Sequence, residues 1–254
     1  MPGFLLEMQL PGLMPDGGWI LLAKKTITGP AFIENSLPNV YAHWGDFLSA
    51  MKDTLIMELW AGSVSFLIGL ILGIVLTVTR PGGILENRII YQTLDKIVNM
   101  FRSIPFIILL TALMPLSRLI MGTAIYVRGA IVPLVFGCTP FFIRQVEAAL
   151  AQTDYGLVEA ALSMGCSPLD VIWRVYLKES IGHIARGTTI TAISLLGLTA
   201  MAGAVGAGGL GDFAIRYGHD RNMTDITWIT VLVLVIAVSI VQTFGGWVAK
   251  KNTH

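Results

Sequence analysis

Charged residues are scarce in this chain, 13% of its 254 positions against 54% hydrophobic, and that shortage excludes an ordinary soluble domain of this length. A mean hydropathy of +0.73 places the protein in a membrane. The 17 basic and 16 acidic residues nearly cancel, so there is no basic face for nucleic acid, and only the position of the basic residues is informative. Cysteine is limited to Cys138 in an apolar segment and Cys166 in a polar one. That excludes metal-ligand spacing, argues against a structural disulfide, and leaves two reduced thiols. The histidines, His43, His183, His219 and His254, lie in separate segments and imply no metal. Catalytic patterns are missing as well: no P-loop, no H-E-x-x-H, no G-x-S-x-G and no carboxylate pair within the apolar runs. No secretory signal is expected, because Glu7 replaces the positive start and Pro11 and Pro15 break the first apolar run.

What is abundant is apolar length. With about 20 apolar residues per crossing, five spans are expected, at 54–79, 97–116, 130–146, 184–205 and 226–248. Residues 1–50 stand apart as an N-terminal extension, interfacial or disordered, since the run 19–23 is too short to cross a bilayer. An odd number of spans puts the termini on opposite sides. With the N-terminus outside, the inner side collects Arg80, Arg88, Lys96, Arg102, Arg144, Arg174, Lys178, Arg186, Lys250 and Lys251, ten of the 17 basic residues. The outer side holds Lys24, Lys25, Lys52, Arg118, Arg128, Arg216 and Arg221. This bias favours N-out and C-in.

The spans carry irregularities. Pro105 and Pro115 interrupt the second, Pro133 and Pro140 the third, and Gly197, Gly203 and Gly206 the fourth; such residues need neighbouring helices to cover the freed backbone. Gly69 and Gly73 form a small-xxx-small pattern, read first as packing within the subunit and second as a contact between copies. Residues 206–211 fit G-x-G-x-x-G, but they follow an apolar helix rather than a soluble strand, so they read as a tight backbone turn and not as a dinucleotide site. Glu58, a turn into the first span, would cost about 2.5–3.5 kcal/mol at the bilayer centre. It reads either as snorkelling to the outer headgroups or as a pathway residue.

One polar interruption remains, at 153–180. Asp154 can cap a helix from Tyr155 through Glu159, Ala160 and Ala161, Gly165 permits a turn, and Ser167 caps a second helix with Pro168 at its first position. Val171, Ile172, Val175 and Tyr176 give that helix one apolar face. A loop of this length is long against the usual 2–8 residues between bundled helices.

Glu159-Ala160-Ala161, followed by Gly165, Val175 and Leu177, resembles the EAA loop of permease subunits of bacterial ABC importers. Residues 102–110 and 204–211 resemble the methionine-import branch in particular. The resemblance runs from about residue 52 to the end. Lys178 stands where the family has a proline, and Glu58 where it more often has an uncharged residue. The resemblance implies an all-α membrane fold of five transmembrane helices, with a cytoplasmic coupling insertion between the third and fourth. It implies a non-catalytic subunit in the bacterial inner membrane. That subunit would form a homodimer, bind two copies of a cytoplasmic ATPase, and receive solute from an extracytoplasmic binding lipoprotein. ATP and magnesium would be held by the ATPase, and no cofactor by this chain. Glu159, Ala160, Ala161, Gly165, Cys166 and Ser167 would contact that ATPase. ATPase closure would drive the two insertions together and rock the spans outward.

The fourth span would line the path through Ser194 and Thr199, with Met201 as an outer constriction; a core methionine filling a gap is the equal alternative. Glu58 completes this pathway set. No span holds a matched acid and base for both ends of a zwitterion. Selectivity is therefore expected in the binding protein, docked on 118–128 and 208–225. The expected solute is methionine, D- and L-, with another amino acid as the alternative. A secondary transporter or channel would need midplane charges that are not seen.

Overall fold

The computed structural model describes residues 37–251; the run 19–23 and the rest of 1–36 lie outside the described residues. Every regular element among the described residues is helical. Short α1 (Pro38–Ala42) opens with Pro38 at its first position, where a missing N–H costs nothing. It is joined to α2 (Trp44–Thr79). At 36 residues, α2 is about 54 Å long at 1.5 Å per residue, well beyond an apolar core of about 30 Å. It begins ten residues before the expected start at 54. Hydropathy finds only the apolar part of a helix, and the extra turns are held by Phe47 and Ala50, which pack with Leu210, Phe213 and Tyr217. The boundary expected at residue 50 thus falls inside α2.

The expected second span, 97–116, is not one helix. Amphipathic α3 (Arg88–Ser103) ends before Pro105, α4 (Phe106–Ala112) follows it, and α5 (Met114–Met121) restarts with Pro115 in its first turn. The prolines divide it because each removes a donor and disfavours helix at the preceding residue. The three pieces nonetheless run along α6 (Tyr126–Leu150) in the opposite direction. Asp95 bonds Arg144 near one end, the Phe101 and Phe136 rings meet at 5.5 Å, and Ser117 bonds Gly129 near the other end. That last bond has a local cause. Pro133 leaves the carbonyl of Gly129 without its helical donor, and the buried Ser117 hydroxyl donates to it at 2.9 Å.

Beyond α6 come α7 (Tyr155–Ser163), α8 (Pro168–Val171), a π-helical turn over Ile172–Tyr176 and α9 (Leu177–Glu179). The chain then returns through α10 (Ile181–Ala202), a π-helical turn at Gly203–Ala207, and α11 (Gly209–Phe213). A further turn, Ala214–His219, leads to α12 (Thr224–Lys251). Among the described residues four helices are long and apolar enough to cross a membrane: Trp44–Thr79, Tyr126–Leu150, Ile181–Ala207 and Thr224–Lys251.

Helix directions follow from the glycines. A Cβ on Gly69 would meet Phe142 at 2.6 Å and one on Gly73 would meet Val146 at 2.6 Å, so α2 and α6 lie parallel and in close approach. The small-xxx-small pair therefore packs within the subunit. Gly187 of α10 lies against Gln145 and Leu198 of α10 against Gly137, which makes α10 antiparallel to α6. Gly245 of α12 seats directly on Thr189 of α10. A buried core of Met57, Ala61, Leu134, Cys138, Leu195 and Ala202 joins α2, α6 and α10.

This arrangement gathers Arg80, Arg88 and Arg144, the α7–α9 insertion and the end of α12 at one end of the bundle. The N-terminal turns of α2, the glycine-rich turn and the start of α12 share the other. There Asn39 of α1 reaches Asp225 of α12 through its N–H at 3.0 Å and its side-chain amide at 2.9 Å.

Candidate functional site

The insertion is a helical hairpin closed at its base. The Thr153 and Ser180 hydroxyls lie 3.0 Å apart, and Ser180 donates to the carbonyl of Ala149 at 3.2 Å. Asp154 caps α7 by accepting from the N–H of Gly156 at 2.8 Å, satisfying one of the free donors at a helix start. At the other end the N–H of Cys166 donates to Ala161 O and that of Gly165 to Leu162 O, the paired bonds of a Schellman turn. Gly165 sits at φ 85° with nothing near its Cβ position, so the need for glycine there is conformational and not steric. Ser167 then caps α8: its oxygen accepts from the N–H of Asp170 at 3.2 Å while its hydroxyl donates to Asp170 Oδ2 at 2.6 Å. The second contact holds the Asp170 carboxyl below its ordinary value.

One face of the hairpin is anchored. Val158, Ala161, Val171 and Tyr176 are buried against Phe142, Val146 and Leu150 at the end of α6. The hairpin is therefore a rigid continuation of a membrane helix. Its opposite face is open: Glu159, Ala160, Gly165 and Ser167 are exposed, Cys166 is half-buried, and Ala161 alone of the expected contact residues points inward. Beside them stand large apolar side chains left in the open, Met164 at 78%, Leu169 at 65% and Trp173 at 69% exposure. Sequence reasoning passed over these three; the signal was available, because bulky apolar residues in a polar, helix-capped segment have no burial to explain them.

The expected pathway residues do not behave alike. Ser194 is exposed and Met201 is 40% exposed, so both face open surface on α10. Thr199 does not. It is buried and its hydroxyl donates to Leu196 O at 2.8 Å, as Thr188 and Thr191 do to their own helix. Back-bonding consumes the donor a passing solute would use. Glu58 is half-buried, and its Oε2 is fully enclosed with no hydrogen-bond partner.

The glycine-rich segment folds back on α10. Gly206, Gly208 and Gly209 have φ of 89°, 83° and 80°, and a Cβ on Gly211 would strike the carbonyl and Cα of Ala200. The N–H of Leu210 donates to the buried Thr54 hydroxyl at 2.8 Å. Nearby, Tyr217 donates to Asp46 at 2.9 Å and its ring meets that of His43 at 4.4 Å. Burial first, then the bond to Asp46, raises the Tyr217 hydroxyl above its ordinary value.

The sequence model of the binding-protein-dependent transport system inner membrane component matches residues 65–252. The chain is 44% identical over 207 residues to the probable D-methionine transport system permease protein MetI of Vibrio cholerae, covering 82% of this chain and 92% of that protein. It is 39% identical over 175 residues to the methionine import system permease protein MetP of Bacillus subtilis, covering 69% and 79%. A chain from the inward-facing MetNI methionine ABC transporter superposes with a TM-score of 0.80 at 42% identity, over 82% of this chain and 96% of that one.

Proposed function

The chain belongs to the family of binding-protein-dependent transport system inner membrane components, and from that premise we propose that it is the permease subunit of an ATP-driven methionine importer. The observation that carries this reading is the hairpin, anchored to α6 on one face and open on the other, in a chain so similar to methionine permeases. ATP is hydrolysed by a separate ATPase, whose cleft receives the open face: Glu159 and Ala160, the turn at Gly165, Cys166 and Ser167, and the apolar Met164, Leu169 and Trp173. Ala161 supports this face from beneath.

Two copies of the chain form the pathway in this reading, and each crosses the membrane five times. The segmented α3–α5 counts as the fifth crossing, because it runs antiparallel to α6 along most of that helix. In this reading the end bearing Arg80, Arg88, Arg144 and the hairpin faces the cytoplasm, a choice supported by the rule that short cytoplasmic loops concentrate Lys and Arg. The N-terminus then lies outside and the C-terminus inside. An extracytoplasmic binding protein docks on the opposite end, near the glycine-rich turn.

Force applied to the hairpin reaches the spans through Phe142, Val146 and Leu150, and through the Thr153–Ser180 clasp that ties α6 to α10. Rigid-body rocking of these helices opens the path to one side at a time. Ser194 and Met201 line it, and the thioether of Met201, flexible among Ala and Gly neighbours, closes it by van der Waals contact.

Reconstitution of the chain with its ATPase and binding protein in liposomes tests the reading. Methionine accumulates only with ATP and all three components. Methionine accumulation by this chain alone, without ATP, would refute it.

A further inference from the structure

One half-buried carboxylate plays no part in the mechanism above. Glu58 opens onto a groove of about 520 Å³ between α2, α6, α10 and α12, within the size range of small-molecule sites. Leu59, Phe66, Leu67, Phe142, Leu195 and Val241 make much of its wall apolar. Among the described residues the groove is lined by no Lys, Arg or His, so none of them neutralises the carboxylate, and Glu58 Oε2 is enclosed without a hydrogen-bond partner among them. The nearby hydroxyls of Thr188 and Thr191 already donate to Ile184 O and Gly187 O, which leaves them only as acceptors toward the groove. Ser63 lines the groove as well, with a hydroxyl that can donate or accept, so Glu58 is the one charged group among the lining residues and no cation faces it.

Glu58 also lies within the membrane-spanning helix α2. A lone carboxylate in such a helix is expensive and is retained where it meets a ligand or a pathway.

On the reading of the chain as an amino-acid importer, we propose that Glu58 receives the ammonium group of the solute, while the apolar wall takes its side chain. A cation suits a site whose single charged group is an anion, and with no cation beside it that group checks the ammonium end alone. The carboxylate of a zwitterion is left without a partner, so this contact is weak and leaves tight selection to a separate binding protein.

The test uses the complete permease–ATPase complex in nanodiscs, with radiolabelled methionine as probe and methylthiobutanoate, the analogue lacking the ammonium, as competitor. Millimolar methionine is retained by the wild type and displaced by unlabelled methionine but not by methylthiobutanoate. Glu58→Gln, which keeps shape and removes charge, weakens retention at least about tenfold, the size of one charge-assisted hydrogen bond. Co-purification of the ATPase reports assembly of that variant; should it fail to assemble, the competitor arm on the wild type decides. Equal displacement by methylthiobutanoate, no retention by the wild type, or unchanged retention in Glu58→Gln would overturn the assignment. ATP-driven methionine uptake by the wild type separates the two claims. If uptake proceeds and Glu58→Gln matches it, the ammonium site falls alone; if the wild type takes up no methionine, the importer reading falls with it.

Discussion

The two ends of the bundle solve opposite problems. The hairpin at 153–180 is attached through side chains: a few buried apolar residues, two caps and a hydroxyl clasp hold it, and its outer face keeps Met164, Leu169 and Trp173 in the open. The glycine-rich turn at 203–211 is attached through backbone. Gly203 abuts the backbone of Asp212 and Gly211 the backbone of Ala200. A part held by side chains with a free face can be gripped by another protein and move as a unit, whereas a part packed backbone to backbone cannot shift without unfolding its neighbours. On the proposed function, the contrast separates the end that would take in work from the end that must keep its shape.

The sharpest way to break the contrast is to add atoms at each glycine in turn. Gly211→Val drives a side chain into the backbone of Ala200, which cannot yield, and should destabilise the protein by at least about 3 kcal/mol. Thermal unfolding in detergent, or failure to recover folded protein, reads this. A well-folded Gly211→Val would contradict the close approach. Next in size is the paired change Met164→Glu with Trp173→Glu on the hairpin. It should leave the melting temperature near that of the wild type yet weaken ATPase co-purification by about tenfold or more, as for loss of a central apolar anchor. Undiminished co-purification would show that the open face is not where the ATPase binds.

Gly165→Val meets no atoms and strains only the left-handed backbone, at about 1–2 kcal/mol. It should loosen the hairpin while the spans stay folded, which hydrogen exchange on 155–171 would resolve. Smallest is Asp154→Ala, which removes one cap worth about 1 kcal/mol. Faster exchange should then be confined to the first turn of α7.

Much of the hairpin was legible from sequence because its signals are local. A capping Asp154, a turn glycine at Gly165 and the Ser167–Pro168 pair each act within four residues, and all sit where expected. The burial of Ala161 was not legible, since it depends on α6 arriving beneath it. The spans were read from apolar length, a measure blind to the continuation of α2 to Trp44, whereas Pro105 and Pro115 marked in the sequence the places where the second span divides into α3, α4 and α5. Pairings across the chain left no local trace: Asn39 with Asp225, Ser117 with Gly129 and Leu210 with Thr54 join residues that only the fold brings together. Thr199 shows the same limit from the other side, as its composition fits a polar path while its rotamer turns the hydroxyl back onto Leu196.

Spin labels at Ser163, exposed on the hairpin, would report the separation of the two hairpins in the assembled transporter by pulsed electron resonance. ATP binding should bring the labels closer by several ångströms, with the shift reversing on hydrolysis. An unchanged separation in a transporter that still imports methionine would contradict the hairpin as the part through which ATP drives the spans.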